Sequence, residues 1–164
     1  MLLQHASELA IRATLFLAQQ EPGKLSPVRE IAAHTGVSEA YLAKIFQRLG
    51  SSGLVRSFRG PGKGMELGRA PKSISLAAVV RAVEGAKESD VCVLGLGVCS
   101  EENPCPLHKE WLPLRTAIHN FLEQTTLADL VRVVNKKSRQ QKSSVLDLIA
   151  AEAAAVRARE RKRL

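Results

Sequence analysis

All three cysteines of this chain lie in one glycine-rich segment, residues 92–108, which reads CVLGLGVCSEENPCPLH. Six residues separate Cys92 from Cys99, five separate Cys99 from Cys105, and His108 follows Cys105 by three positions. Thiolates backed by an imidazole are soft ligands of the kind that bind zinc, copper or an iron–sulfur cluster. The segment is therefore predicted to be a metal or cluster site, and the elements around it must indicate its use.

The composition favours one compact helical domain with an appendage. The chain has 164 residues, of which 45% are hydrophobic and only 4% aromatic, and a chain of this length seldom forms two full domains. Leu, Ala, Val and Ile supply most of the apolar residues, which favours helices packed on helices. We therefore expect a mainly α fold.

Two features predict a cytoplasmic protein without a membrane segment. No apolar run approaches the roughly 18 residues that a spanning helix needs, and the first residues lack the charged start and cleavage site of a signal peptide. The odd number of cysteines argues against a structural disulfide framework and favours metal or redox chemistry in a reducing compartment.

Positive charge is concentrated in two parts of the sequence. Residues 24–72 contain nine Lys and Arg against three acidic residues, and residues 132–164 contain ten against three, within a net charge of +8. A basic block inside the folded part is typical of proteins that bind polyanions, most often nucleic acid.

The N-terminal part predicts three helices, and the last two are joined by a tight turn. The first spans about residues 4–20, and the second begins at Ser26 as N-cap, has Pro27 in its first turn and ends at Gly36. Ser38 caps the third helix, because a regular apolar face follows it: Leu42, Ile45, Phe46 and Leu49. Two short helices joined at a glycine that permits a left-handed turn predict a helix-turn-helix.

The third helix is predicted to be a recognition helix, followed by a β-hairpin wing. Its outward side chains suit base edges and phosphates: Ser38, Glu39, Tyr41, Lys44, Gln47 and Arg48. Residues 54–68 alternate apolar and polar residues around a Gly and Pro cluster, which predicts a hairpin. Arg59 and Lys63 at its tip are expected to reach a phosphate or the adjacent minor groove.

Two later helices carry clear capping signals. The fourth helix is expected to run from its cap at Ser75 to Glu84, where Gly85 ends it. The last begins at Thr126, and Asp129 three positions on forms an acidic variant of the capping box.

Between them, a long helix is predicted to start near Pro106 and to fade at Thr125, with Pro113 bending or delaying its first turns. This helix has more apolar surface than a lone winged helix can cover. A homodimer through the long helix is therefore expected, and a two-fold dimer matches a palindromic operator in double-stranded DNA.

Several of these segments in combination resemble a known family. They are VSEAYLAKIFQRLGSSGLVRSFRGPGKG, SISLAAVVRAVEG, the three-cysteine segment and FLEQTTLADL, and they resemble the IscR- and NsrR-like bacterial winged-helix iron–sulfur transcriptional regulators over about residues 1–135. The fold class is thus expected to be mainly α: a winged helix-turn-helix DNA-binding domain with a small β-hairpin wing and a long dimerisation helix. The expected divisions are the DNA-binding domain, cluster-binding segment, dimerisation and following helices, and basic C-terminal tail: 1–85, 86–108, 109–137 and 138–164.

The resemblance also implies a cofactor and its ligands. Cys92, Cys99 and Cys105 match the three cysteine ligands of the family. His108 matches a histidine ligand, which implies a 2Fe–2S cluster, whereas Glu8 matches an acidic ligand donated by the other subunit, which implies a 4Fe–4S cluster; the first is favoured. The implied function is a homodimeric transcriptional regulator that senses redox state, nitric oxide or iron status, with no small-molecule substrate.

Two other classes of function stay open at this point. In the first, the chain is a winged-helix regulator without a cluster, and its cysteines form a thiol switch or a zinc site. In the second, it is an iron–sulfur or thiol redox enzyme. The enzyme is disfavoured because the sequence has no nucleotide or flavin fingerprint, no nucleophile beside an evident base, and no cysteine pair at redox-motif spacing.

Overall fold

The computed structural model describes residues 3–60, 63–85, 92–97 and 100–141, with side chains of the last helix described to residue 137. Within these residues the order of elements is α1 (His5–Ala18), α2 (Val28–Thr35), α3 (Glu39–Ser51), β1 (Val55–Phe58), β2 (Gly64–Leu67), a 3₁₀ turn (Pro71–Ser73), α4 (Leu76–Glu84), α5 (His108–Gln124) and α6 (Leu127–Gln141). None of the helices described is long and apolar enough to cross a membrane.

The hydrophobic core lies among α1, α2, α3 and α4, and the first residue of α6 closes it. The predicted apolar face of α3 is confirmed, because Leu42, Ile45, Phe46 and Leu49 are all at most 3% exposed. Leu127 of α6 is fully buried in the same cluster. The DNA-binding part and the C-terminal helices therefore share one core, which fits the single-domain expectation from chain length.

The turn between α2 and α3 is the predicted helix-turn-helix connection. Gly36 has φ 79° and ψ 20°, a left-handed conformation that is costly for residues with a side chain. The Ser38 hydroxyl accepts a hydrogen bond from the Tyr41 N–H at 3.3 Å and caps α3 as expected.

The predicted N-cap of α2 was wrong by one residue. Pro27, with φ −62° and ψ 145°, occupies the cap position, and Ser26 makes no capping hydrogen bond. Instead, the Ser26 N–H donates to the Met65 carbonyl at 3.0 Å, and the Met65 N–H donates to the Ser26 carbonyl at 2.9 Å. Ser26 is thus held as a strand-like partner of β2, which removes it from the helix start.

The hairpin predicted over 54–68 is confirmed as an antiparallel pair. Val55 pairs with Leu67 at the base, and Phe58 pairs with Gly64 near the tip. At the base, a Cβ on Gly68 would lie 2.5 Å from the Gly53 carbonyl oxygen, so this position needs glycine. The wing is therefore packed tightly against the end of α3.

The start of α4 is joined to the connection between α5 and α6, and Gly85 ends the helix. At its start, the Ser75 hydroxyl accepts from the Ala78 N–H at 3.1 Å, which confirms the predicted cap. The connection between α5 and α6 runs alongside, where the Leu76 N–H donates to the Thr125 carbonyl and the Leu127 N–H donates to the Ile74 carbonyl, both at 2.9 Å. At its other end, Gly85 terminates the helix with φ 93°.

The start of α6 has the predicted acidic capping box. The Asp129 carboxylate accepts hydrogen bonds from the Thr126 hydroxyl at 2.6 Å and from the Thr126 N–H at 3.0 Å. These bonds, with the hydroxyl contributing most, lower the pKa of Asp129. The backbone of α6 continues to residue 141, past the predicted boundary at 138, and the rest of the tail lies outside the described residues.

The long helix α5 begins at His108, two residues later than expected from the sequence. Pro113 lies inside it, five residues after its start, so it does not delay the helix. Leu114 and Phe121 on α5 are both 58% exposed. The single chain therefore leaves large apolar side chains of this helix without a covering partner among the described residues.

Candidate DNA interface and cysteine site

The outward side of α3 forms a continuous polar surface. Apart from Arg48, which is described below, we call its exposed polar residues the recognition surface: Ser38, Glu39, Tyr41, Lys44 and Gln47. The opposite side of the helix supplies four core residues, so the packing of α3 leaves its polar side facing solvent. The predicted recognition residues are thus brought together on one face, where hydroxyl, amide and ammonium groups are available to base edges and phosphates.

Arg48 was predicted to belong to the same outward set, and it is exposed as they are, but its guanidinium also bonds the protein. Its Nη1 donates a hydrogen bond to the Val83 carbonyl oxygen of α4 at 2.7 Å. The last carbonyls of a helix lack intrahelical donors and lie at the negative end of its dipole, so a guanidinium is a favourable partner. The structure therefore places Arg48 between two helices.

The wing presents cationic groups beside an aromatic ring. Arg59 and Lys63 are exposed, and neither makes an ion pair within the described part of the chain. Arg56, in contrast, pairs with Glu66 across the two strands at 2.8 Å. Phe58 is 44% exposed and was not predicted as a contact. Phe58 lies two residues after Arg56 on β1, and residues two apart on a strand share a face, so this spacing could have placed Phe58 on the exposed side.

The first part of the cysteine segment is a tight turn around Cys92. The Cys92 N–H donates to the Gly97 carbonyl, and its carbonyl accepts from the Gly95 N–H, both at 2.9 Å. Gly95 and Gly97 have φ of 70° and 92°, respectively. The turn leaves Cys92 only 4% exposed, while the apolar side chains that follow it are solvent-facing, with Val93 at 49%, Leu94 at 48% and Leu96 at 66%.

The second part of the segment leads into α5. The His108 N–H donates to the Cys105 carbonyl at 2.9 Å, so these two residues lie in one turn at the start of the helix. His108 is only 5% exposed, and its Nε2 lies 3.3 Å from Oε1 of the largely exposed Glu101. A carboxylate beside one ring nitrogen is the type of partner that orients an imidazole.

Cys99 lies outside the described residues, so three of the four predicted ligands in this segment have a place in the structure. Among the residues described, which lack Cys99, no three His, Cys, Asp or Glu side chains gather in a metal-binding group. Neither Cys92 nor Cys105 forms a disulfide bond in the described part of the chain.

The alternative ligand, Glu8, lies elsewhere in the chain. It is in the first turn of α1, where its Oε1 is 2.5 Å from Nη2 of Arg12. His5 is a weaker neighbour, with Nδ1 at 3.9 Å from the other carboxylate oxygen. The Oε1 of Glu8 is therefore engaged with Arg12, and Oε2 is the oxygen that has the weaker contact.

Trp111 lies one helical turn after His108. Its indole N–H is buried and has no hydrogen-bond partner among the described residues. A buried donor left without an acceptor costs roughly 1–3 kcal/mol, so an acceptor supplied by a bound group or a second subunit would stabilise this part of α5. Neither the pattern of α5 nor its composition indicated this donor in advance.

Comparison with known proteins identifies the family. Residues 3–133 match the Rrf2 family, described as iron-dependent transcriptional regulators. The HTH-type transcriptional regulator IscR of Yersinia pseudotuberculosis is 36% identical over 131 residues, which are 80% of this chain and 79% of that protein.

Solved structures agree with this assignment. The global cysteine regulator CymR of B. subtilis superposes with a TM-score of 0.69 at 27% identity and covers 80% of this chain and 96% of its own. The IscR of T. potens gives a TM-score of 0.62 at 27% identity, over 79% of this chain and 85% of its own. The redox-enzyme alternative is therefore set aside, and the chain belongs to the Rrf2 family of transcriptional regulators, as a DNA-binding regulator and not an enzyme.

Proposed function

We propose that the chain is a homodimeric regulator whose affinity for its operator depends on an iron–sulfur cluster held by Cys92, Cys99, Cys105 and His108. One observation carries the proposal: the segment buries two of its candidate ligands, Cys92 and His108, and exposes the aliphatic residues that follow Cys92. Cys92 and His108 are 4% and 5% exposed, whereas Leu96 is 66% exposed. A segment folded for its own hydrophobic core would have the opposite distribution.

The donor set fits an iron–sulfur cluster. Thiolates are the ordinary protein ligands of such clusters, and an imidazole replaces a thiolate in some of them. Glu101 beside the His108 ring is the type of carboxylate partner that orients a ligating histidine. A cluster sulfur near the start of α5 would also supply an acceptor for the unpartnered Trp111 N–H.

The surroundings of the two candidate fourth ligands favour His108, and with it a 2Fe–2S cluster. His108 is buried within the cysteine segment, and no conformational change in α1 is needed for it to act as a ligand. Glu8 is engaged with Arg12. A 4Fe–4S cluster with Glu8 donated by the partner subunit is the alternative.

Operator binding is assigned to the recognition surface and the wing. The polar side chains of α3 would enter a major groove, as in other helix-turn-helix proteins. Arg59 and Lys63 would contact phosphates or the adjacent minor groove, where cations are favoured. In addition to these contacts, the net positive charge of residues 24–72 would attract DNA independently of its sequence.

The dimer is assigned to α5. Leu114 and Phe121 are exposed large hydrophobic residues on this helix, and a second copy of α5 would cover them. A two-fold dimer presents two recognition helices to the two halves of a palindromic operator, with half-sites about 34 Å apart or a multiple of it.

The regulatory chemistry follows from incomplete cysteine ligation. A cluster with a non-cysteine ligand at one iron is more easily lost to oxidants, nitric oxide or iron shortage than one in a closed cysteine cage. The protein's part is to bury Cys92 and His108 and to connect them through α5 and α4 to the DNA-binding elements.

The test is operator affinity with and without the cluster. Duplexes selected by the full-length protein from a random-sequence pool would be titrated, under anaerobic conditions, with protein reconstituted with iron and sulfide and with the same protein after chelation. We expect the two affinities to differ by about fivefold or more, the usual lower range of allosteric coupling. Equal affinities would contradict the proposal, as would the failure of the pool to yield any preferred sequence.

A zinc-bound form is the second candidate, since three cysteines and a histidine are also a common tetrahedral zinc set. The zinc form would contain zinc without acid-labile sulfide and would have no visible absorbance. Metal and sulfide analysis of protein kept from oxygen distinguishes the two.

A further inference from the structure

Arg48 joins the end of the recognition helix to the end of α4. It lies in the last turn of α3, and its Nη1 donates to the Val83 carbonyl at 2.7 Å. Val83 is the next-to-last residue of α4, where backbone carbonyls have no intrahelical donor. The bond is charge-assisted and lies at the negative end of the helix dipole, so it is among the stronger contacts that a surface arginine can make.

The same turn of α4 is also tied to the start of α1. The Glu84 Oε1 accepts a hydrogen bond from the Gln4 N–H at 3.0 Å, and Gln4 immediately precedes α1. Gly85 follows with φ 93° and leads towards Cys92. The last turn of α4 is thus the place where the DNA-binding elements meet the chain that enters the cysteine segment.

The rest of α4 is attached to the dimerisation helix and its neighbour. Backbone bonds join Leu76 to Thr125 and Ile74 to Leu127. Farther along α4, Arg81 forms an ion pair with Glu123 of α5. A displacement of α5 or of the cysteine segment would therefore act on α4, and through Arg48 on α3.

We propose that Arg48 is a positioning residue: it sets the orientation of the recognition helix against the last turn of α4 and transmits the state of the cysteine segment to operator binding. This inference rests on the proposed function. Arg48 and Lys44 are both exposed, but only Arg48 is bonded to α4, and Lys44 makes no ion pair within the described residues. Lys44 would act on DNA directly, and Arg48 through the protein.

The test compares Arg48→Gln with Lys44→Gln in the full chain. The probe is a duplex that the wild-type protein selects from a random-sequence pool. Its affinity is measured over a range of salt concentrations with cluster-loaded and with cluster-free protein. Thermal melting and visible absorbance confirm that each variant is folded and binds the cluster to the wild-type level.

The two variants are expected to fail in different ways. Loss of one phosphate contact lowers the slope of log affinity against log salt by about 0.9, and we expect this for Lys44→Gln, with the ratio of loaded to free affinity unchanged. Arg48→Gln is expected to keep the slope and to bring that ratio about fivefold closer to one, a typical effect for residues that carry coupling.

Two results would overturn the inference: a slope reduced by Arg48→Gln as much as by Lys44→Gln, or a wild-type ratio in Arg48→Gln. If Arg48→Gln does not fold, Arg48→Lys decides, because lysine keeps the charge but not the length and planar fork of arginine. Its ratio of loaded to free affinity must move closer to one, and a wild-type ratio refutes the proposal. The proposed function fails separately, if the wild-type protein itself shows no difference between its two forms.

Discussion

The helix-turn-helix and the cysteine segment of this chain are stabilised in different ways. The first is built on a shared core in which Phe46 is 1% exposed and Leu42 and Leu49 are fully buried. The second buries Cys92 and His108 but leaves Val93, Leu94 and Leu96 about half exposed or more. The helix-turn-helix therefore has a complete core within one chain, whereas the cysteine segment, under the proposed function, would be stabilised by the cluster that it binds.

This difference suits a regulator. Under the proposed function, each DNA-binding helix must stay folded in both states, and an apolar core provides that because packed interiors resist deformation. A sensing segment must gain and lose its ligand, which requires a low intrinsic stability. Helix α4 joins the two regions, so under the proposed function it would determine how strongly gain or loss of the cluster alters DNA binding.

The largest expected effect is in the core. Phe46→Ala should lower the free energy of unfolding by about 3–5 kcal/mol, because a large buried side chain is replaced by a cavity. The matched substitution in the cysteine segment, Leu96→Ala, should change it by no more than about 0.5 kcal/mol, since Leu96 is 66% exposed. Chemical denaturation of both variants measures the contrast. Similar losses would mean that the segment shares the core.

The second prediction concerns the fourth ligand. His108→Ala should lose most of the visible absorbance of anaerobically reconstituted protein, whereas Glu8→Ala should retain it, because Glu8 is held by Arg12. Absorption spectra and iron content at matched protein concentration test the pair. Loss in Glu8→Ala with retention in His108→Ala would move the assignment to the partner subunit's carboxylate.

Two serine caps provide a smaller and more discriminating comparison. Ser38 caps α3 and Ser75 caps α4, by hydrogen bonds of 3.3 Å and 3.1 Å to backbone N–H groups. Replacement by Ala should cost each protein about 1 kcal/mol of stability. Only Ser38→Ala should also weaken DNA binding at temperatures where both variants are fully folded. Equal DNA affinities in the two variants would remove Ser38 from the recognition surface.

The smallest expected effect is a pH dependence between α4 and α5. The hydrogen bond from Arg81 holds the pKa of Glu123 below its ordinary value of 4.5. Because the folded pKa is depressed, the stabilisation is fully present above about pH 4.5 and is lost as the pH falls through the folded pKa.

Arg81→Met should therefore lower Tm slightly at pH 7, and the difference from wild type should narrow as the pH is lowered below 4.5. Arg81 is exposed and Glu123 is partly exposed, so solvent screens the pair and the loss should not exceed about 1 kcal/mol. Arg132→Met is the control, because Arg132 pairs with Asp129 within one helix. A pH-independent difference for Arg81→Met would show that the arginine acts by packing and not by charge.

Much of the fold was predictable because local signals and burial agree. The apolar spacing of α3, the left-handed turn at Gly36 and the caps at Ser38 and Ser75 each specify the same elements that the core requires. The prediction for Ser26 failed for a tertiary reason. Its backbone pairs with Met65, and a contact between residues so far apart in the sequence leaves no local trace.

The residue types of the candidate site could be predicted from the sequence, but the contacts of these residues could not. The spacing of Cys92, Cys105 and His108 indicated soft ligands, but the pairing of His108 with Glu101 and the unpartnered N–H of Trp111 depend on how α5 begins. Arg48 was predicted as a DNA contact from its helical phase alone. Arg48 is exposed as that phase predicts, but the phase could not show that the Val83 carbonyl lies within hydrogen-bond distance of its guanidinium.

The central claim, that the cysteine segment binds an iron–sulfur cluster, is tested most directly by iron and acid-labile sulfide counts with the visible spectrum, on full-length protein purified without oxygen. We predict equal amounts of iron and sulfide with visible absorbance in the wild-type protein, and loss of all three in Cys92→Ala. Wild-type protein that contains zinc or no metal, without sulfide, or a Cys92→Ala protein with the full spectrum, would contradict the account.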